Sequence, residues 1–203
     1  MAISLILAHP NKASFNHAIA QTADQVLRRL GHNVHYHDLC QEHFEPRLGA
    51  AELGADCPLD PIVQQHCREI SQTQGIIIVH PNWWGQPPAI LKGWIDRVLR
   101  MGVAYRFQGS DGVPVGLLKA EAALVFNTSN TPQERELAVF GDPLERLWKT
   151  CVFDFCGVKI CHRTNYAVII SSTIEQRRAW LADVRDTVQR AFPSPGRKST
   201  TNL

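Results

Sequence analysis

Ile3-Ser4-Leu5-Ile6-Leu7-Ala8 is apolar but for one serine, and it stops at His9-Pro10-Asn11. A short run without polar alternation, closed by a turn-forming cluster, reads as a strand buried on both faces and followed by a loop. From Asn16 to Leu30 the apolar residues Ala20, Ala23, Val26, Leu27 and Leu30 recur at helical spacing, and Gly31 supplies the stop. The chain therefore opens with strand, loop and helix, and the question becomes whether that unit repeats.

It does. Asn33 to Leu39 alternates polar and apolar, as a strand nearer a sheet edge would. Residues 40–60 carry Pro46, Gly49, Gly54 and Pro58 without a steady period, which predicts a loop with at most a short helical turn. Asp60 is placed to cap a helix with Pro61 at its first position, running to about Gln74. Ile76 to Val79 is a second fully apolar strand ended by His80-Pro81, and Ala89 to Arg100 is strongly periodic. Further on, Ala120–Phe126 reads as a strand, Pro143–Phe155 as a helix, Tyr166–Ile170 as the last strand and Thr173–Ala191 as the last helix. Five alternating strand and helix units predict a parallel sheet covered by helices on both faces, because parallel neighbours need crossovers. Residues 1–192 are expected to form one domain, and 193–203, rich in Pro, Ser and Thr, a disordered tail.

Composition narrows the partners. With 203 residues, 44% hydrophobic and 20% charged, and a net charge of +2, the chain has the balance of a globular domain without a general attraction to nucleic acid or membrane. The six cysteines (Cys40, Cys57, Cys67, Cys151, Cys156, Cys161) include no C-x-x-C pair, so free thiols are expected rather than a zinc site. No basic segment precedes the first strand, and no apolar run reaches the roughly 20 residues of a membrane span. The expected compartment is the reducing cytoplasm. His32, His35 and His37 are read as part of a solvated edge strand, and Arg28, Arg29, Arg177 and Arg178 as solvated helix faces.

In an open parallel sheet, ligands bind outside the carboxyl ends of the strands. Three loops qualify: His9–Asn16, Pro81–Pro88 and Asn127–Pro132. The first has neither the G-x-G-x-x-G of a dinucleotide turn nor the G-x-x-x-x-G-K-[ST] of a P-loop. It does place Ser14, Phe15 and Asn16 at a helix start, where free N–H groups favour an anion; taken alone, the loop is better explained by simple capping by Ser14 or Asn16, and the other two loops raise the anion reading. The second loop, Pro81-Asn82-Trp83-Trp84-Gly85-Gln86-Pro87-Pro88, carries adjacent tryptophans, of which at least one should face a cleft and offer a flat surface to a ring. The third, Asn127-Thr128-Ser129-Asn130-Thr131, is polar throughout. Together they fit a planar heteroaromatic ligand with a phosphate tail, a description that flavin mononucleotide (FMN) meets.

His9-Pro10, Ser14-Phe15-Asn16, Pro81-x-x-Trp84 and Pro88-Ala89-Ile90-Leu91-Lys92-Gly93-Trp94-Ile95-Asp96-Arg97-Val98, with Phe155-Cys156-Gly157 further on, resemble the NAD(P)H:quinone oxidoreductases of flavodoxin-like fold. The resemblance spans about residues 3–190. It implies a three-layer sandwich around a five-stranded parallel sheet of order 2-1-3-4-5, a bound FMN or FAD, and hydride transfer from NADH or NADPH through the flavin to a quinone-like acceptor. It also implies a homodimer with active sites at the subunit interface. Carried over residue by residue, His9, Ser14, Phe15 and Asn16 belong to the phosphate loop. Pro81, Asn82, Trp83 and Trp84 meet the flavin ring, and Asn127, Thr128, Ser129 and Asn130 line its other edge. Tyr105 and Phe107 match positions that line the acceptor pocket of the partner subunit.

Two departures stand out. The tyrosine and histidine that follow the third loop in well-studied members are missing from Pro132–Asp142, and Gly85 replaces an aromatic residue beside the matching tryptophan. The connection 40–60 is shorter than in FAD-binding animal members, which favours FMN. An alternative function on the same fold is that of a regulatory ancillary subunit of a potassium-efflux transporter. A one-electron flavodoxin carrier fits less well, since such carriers resemble strongly acidic chains.

Overall fold

The computed structural model describes residues 1–54, 57–108 and 112–194, so the expected tail lies outside the described residues beyond Ser194. The first unit forms as its sequence predicts: β1 (Ala2–Leu7) leads through the His9–Ser14 loop into α1 (Phe15–Arg29). Ser14 caps α1 by accepting the His17 N–H, and Gly31 takes φ +83° just past the helix, a left-handed conformation that costs glycine little. After β2 (Asn33–Asp38) and a short 3₁₀ turn at Ala50–Leu53, Asp60 caps α2 (Pro61–Gln72) through the N–H of Ile62. There follow β3 (Gly75–Pro81) and α3 (Ala89–Val98).

The central sheet is completed by β6 (Ala122–Ser129) and β7 (Ile160–Ala167), all strands parallel, in the order β2-β1-β3-β6-β7. This is the expected 2-1-3-4-5 topology. The numbering shifts because an antiparallel hairpin, β4 (Tyr105–Gln108) with β5 (Val113–Gly116), stands apart from the sheet. Strand side chains alternate between two apolar layers. Ile3, Leu5, Leu7, Ile77, Val79, Leu124 and Phe126 face α1 and α6 (Ile174–Ala191). Ile6, Ile76, Ile78, Ala123 and Val125 face Val63 and Ile70 of α2, Trp94 and Val98 of α3, and Trp148. Among the described residues no helix is long and apolar enough to cross a membrane.

Three expectations need correction. The last strand runs Ile160–Ala167, not Tyr166–Ile170, because β7 is an edge strand whose polar residues (His162, Arg163, Thr164, Asn165) hide it from an apolar-run criterion. The predicted helix Pro143–Phe155 is a single α turn, α5 (Pro143–Arg146), continuing into a wider π-helical coil at Leu147–Asp154. A further helix, α4 (Gln133–Phe140), went unread because only Glu136 of its residues is buried, while Leu137, Val139 and Phe140 are exposed.

At Pro46 and Glu52 the connection that follows β2 is held against α3. A Cβ on Gly93 would meet the Pro46 carbonyl oxygen at 2.2 Å, so only glycine admits this approach. The buried Arg97 guanidinium then grips Glu52 at 3.0 and 2.7 Å.

Candidate active site

The carboxyl ends of β1, β3 and β6 open into one cavity of about 890 Å³, within the range of small-molecule sites. One wall is the start of α1 with its loop: His9, Ser14, Phe15 and Asn16. The second is the β3 loop, Pro81 to Gly85, and the third is Thr128, Ser129, Asn130 and Thr131 at the end of β6. Eleven of the fourteen site residues expected from sequence meet here. Asn127, Tyr105 and Phe107 do not. Asn127 is fully buried one step behind the wall, donating to Asn165 at 2.7 Å and accepting from Arg163 at 2.6 Å. Tyr105 and Phe107 sit on the β4–β5 hairpin, where Tyr105 packs edge-on against Phe155 and Phe107 is exposed, both away from this cavity within one chain.

The loop after β3 is a two-residue reverse turn. Trp83 and Gln86 exchange both backbone hydrogen bonds at 3.0 Å, with Trp84 at φ +58° and Gly85 at φ +70° between them. Positive φ at both central positions defines a type I′ turn, which glycine and asparagine suit and tryptophan does not. The turn projects Trp84 wholly into solvent at the cavity rim, while Trp83 lies with its ring 6.2 Å from that of His9. Both tryptophans line the cleft, where at least one was expected.

Polar atoms in the wall are incompletely used. Asn16 donates from Nδ2 to Thr128 Oγ1 at 2.9 Å, tying α1 to β6, but its buried Oδ1 has no partner among the described residues. Asn82 repeats the pattern: Nδ2 donates to Glu136 at 3.1 Å and the buried Oδ1 has none. Buried oxygens rarely go unpaired, so two in one wall mark where a ligand's donors belong. Burial lowers the pKa of His9, which favours a neutral ring beside them.

Several lining residues escaped the sequence reading. Glu136 and Phe140 come from the unread α4, and Pro143 packs 2.9 Å from where a Cβ of Gly85 would lie. Arg177 is partly buried and held in place: it donates to Ser172 Oγ at 2.8 Å and the Ile169 carbonyl at 3.0 Å and lies 5.9 Å over Phe15 at the cavity wall. A cation in the first turn of a helix near a ligand loop is indistinguishable in sequence from a surface arginine.

The histidine reading also changes. His32 is buried against the Phe192 carbonyl, 3.1 Å away just past α6, and His37 is buried where Glu69 of α2 covers the β2 face that a free edge strand would leave wet. His37 bridges Glu42 at 2.8 Å and Glu69 at 2.5 Å, and His66 reaches Glu42 at 3.1 Å. His37, Glu42 and His66 offer ligand-type atoms within 4.8 Å of one another. Yet Trp94 donates to His66 Nδ1 at 2.9 Å, which obliges Nε2 to carry the ring hydrogen. The cluster is thus saturated by protons and hydrogen bonds.

A family model for the flavodoxin-like fold matches residues 1–187. An NAD(P)H oxidoreductase of Haemophilus influenzae is 38% identical over 160 residues, covering 76% of this chain and 78% of its own. Ribosyldihydronicotinamide dehydrogenase [quinone] of Rattus norvegicus is 31% identical over 204 residues, covering 89% and 87%. Among solved structures, the NAD(P)H:quinone oxidoreductase of Methanothermobacter marburgensis superposes with a TM-score of 0.79 at 24% identity, over 94% of this chain and 96% of that one. The chain belongs to the flavodoxin-like family, on its NAD(P)H:quinone oxidoreductase branch. Within that family it is an oxidoreductase enzyme.

Proposed function

We propose that the cavity holds a flavin, FMN rather than FAD, and that the enzyme uses NADH or NADPH to reduce a quinone or similar small acceptor. The observation that carries the reading is the pair of buried, unpartnered amide oxygens, Asn16 Oδ1 and Asn82 Oδ1, in a wall that joins a helix start to a tryptophan turn. A phosphate fits the free N–H groups at the start of α1. The Trp83–Trp84 turn and the Thr128–Asn130 edge would hold a flat ring, and Asn16 and Asn82 would accept from its donors.

When bound, a flavin supplies the capacity to take a hydride from a nicotinamide and hand it on. The chain's own residues bind and orient. Asn16, fixed by Thr128, joins the phosphate wall to the ring edge, so tail and ring are set by one framework. The Trp83–Gln86 turn puts two indoles at the cavity, surfaces on which a planar ring would lie. Orientation of donor and acceptor at short range accounts for much of the rate such a site needs. The exposed apolar residues Leu137, Val139 and Phe140 support a homodimer, in which Tyr105 and Phe107 of one subunit would reach the other's acceptor pocket.

The test is the visible absorption spectrum of protein purified without added flavin, followed by denaturation and chromatography of what is released. Flavin bands bleached by NAD(P)H, with FMN in the supernatant, are expected. A colourless protein that refuses added FMN and FAD would overturn the proposal.

A further inference from the structure

Behind the phosphate loop, three side chains stand in line. Ser14 Oγ is 3.0 Å from His17 Nδ1, and His17 Nε2 is 3.0 Å from Asp38 Oδ2. His17 and Asp38 are buried, and the other Asp38 oxygen is fixed by the backbone N–H groups of Cys40 and Gln41 at 3.2 Å. With Asp38 as acceptor, His17 Nε2 carries a hydrogen, and in the neutral ring Nδ1 then bears a lone pair. Ser14 must then donate its hydroxyl hydrogen to Nδ1 while its oxygen accepts the His17 backbone N–H at 3.3 Å. In this state Ser14, a cavity-wall residue, offers no hydrogen to an anion at the start of α1.

We propose that His17 and Asp38 form a proton relay that arms Ser14 for a phosphomonoester dianion, making this site take up one proton as it binds FMN. The inference rests on the flavin reading and adds the charge state its phosphate pocket selects. On binding, the Ser14 hydroxyl turns to a phosphate oxygen, and a solvent proton on His17 Nδ1 takes its place as donor to Ser14 Oγ. No bond to phosphorus forms or breaks. The resulting imidazolium lies between Ser14 and the Asp38 carboxylate, a buried cation behind a helix start that already favours an anion.

The groups around His17 are consistent with this assignment. His9, 6.3 Å ring to ring from the β1–α1 loop, is driven towards neutrality by burial, and burial likewise raises the Cys40 thiol after β2. Asp38 is the one carboxylate in contact with the ring among the described residues. The unpartnered Asn16 Oδ1, two residues on, is an independent sign that a ligand completes this wall. His17 is a positioning residue, acting on the ligand through Ser14.

The test is calorimetric titration of flavin-stripped protein at pH 8, where free FMN is mostly dianionic, in buffers of different ionisation enthalpy. Uptake approaching one proton per FMN and close to none per riboflavin is expected. His17→Gln should abolish the uptake and weaken FMN on the order of tenfold, the scale of one charged hydrogen bond, leaving riboflavin affinity unchanged. Asp38→Asn is the second variant should His17→Gln not fold, with the same expectation. FMN binding without proton uptake, or a variant that keeps the native ratio of FMN to riboflavin affinity, would overturn the relay while leaving the flavin reading intact. Failure of native protein to bind either flavin would overturn both.

Discussion

Trp148 donates its indole N–H to Nε2 of His80 across 2.9 Å, while His80 Nδ1 donates to the Pro81 carbonyl at 2.8 Å. The two partners fix one neutral tautomer in a ring with no exposed surface, at the end of β3 where the tryptophan turn departs. Burial lowers the His80 pKa to about 4. The unfolded chain, with an ordinary histidine near 6.5, binds the proton first, so His80 costs stability as pH falls from 6.5 towards 4. His80→Leu should flatten the acid slope of urea-unfolding free energy in that window. Trp148→Phe at pH 7.5 should lose about 1–3 kcal/mol, the cost of a buried acceptor left unmet.

The His37, Glu42 and His66 cluster beside β2 has the opposite sign. Burial alone would lower the His37 pKa, but hydrogen bonds to Glu42 and Glu69 raise it above 6.5. Burial alone would raise Glu42, but bonds from His37 and His66 bring it down to about 2. The Glu42 contribution is present above pH 4.5 and lost towards 2; the His37 contribution is present below 6.5 and lost as pH climbs through its raised folded value. Glu42→Gln should therefore destabilise most between pH 4.5 and 6.5, by about 1–2 kcal/mol given partial exposure of the carboxylate, and less on either side of that window. Chemical denaturation across pH reads this directly.

Trp84 holds φ +58° in a turn that wants glycine or asparagine. Trp84→Asn should raise the melting temperature, through relief of about 1 kcal/mol of backbone strain. The same variant should weaken flavin binding, read as a higher Kd by fluorescence quenching. Gain in both would show that the indole has no part in the site.

Arg163 pairs with Asp142 and Glu145 and donates to Asn127, all at the edge of the sheet beside the cavity. Its side chain and that of Asp142 are nearly dry. Arg163→Met should cost about 3–5 kcal/mol by stranding the Asp142 carboxylate, and adding Asp142→Asn should recover part of it. A double-mutant cycle in urea measures the coupling.

Much of the fold was legible because its central strands are buried on both faces: Ile3–Ala8, Ile76–Val79 and Ala120–Phe126 declare themselves as apolar runs. The edge strand β7 and helix α4 did not, since neither buries a continuous apolar face. The three site loops were legible from their place after strands. Glu136 and Arg177 were not, because a lone charged residue on a helix gives no sign of which way the helix will be turned. Asn127 was assigned one residue too early for the wall, an error set by strand alternation: β6 sends Asn127 to Arg163 and Thr128 to Asn16.

The segment Pro88-Ala89-Ile90-Leu91-Lys92-Gly93-Trp94 made the chain recognisable, and much of what it does is carpentry. Gly93 yields room to the Pro46 carbonyl, Trp94 gives its N–H to His66, and Arg97 just beyond it clasps Glu52. None of these three lines the cavity. A colour screen that scored Gly93→Ala as a flavin-contact mutant would be reading a joint that had sprung on the back of the sheet, so the letters by which a sequence is known and the letters by which it works need separate assays.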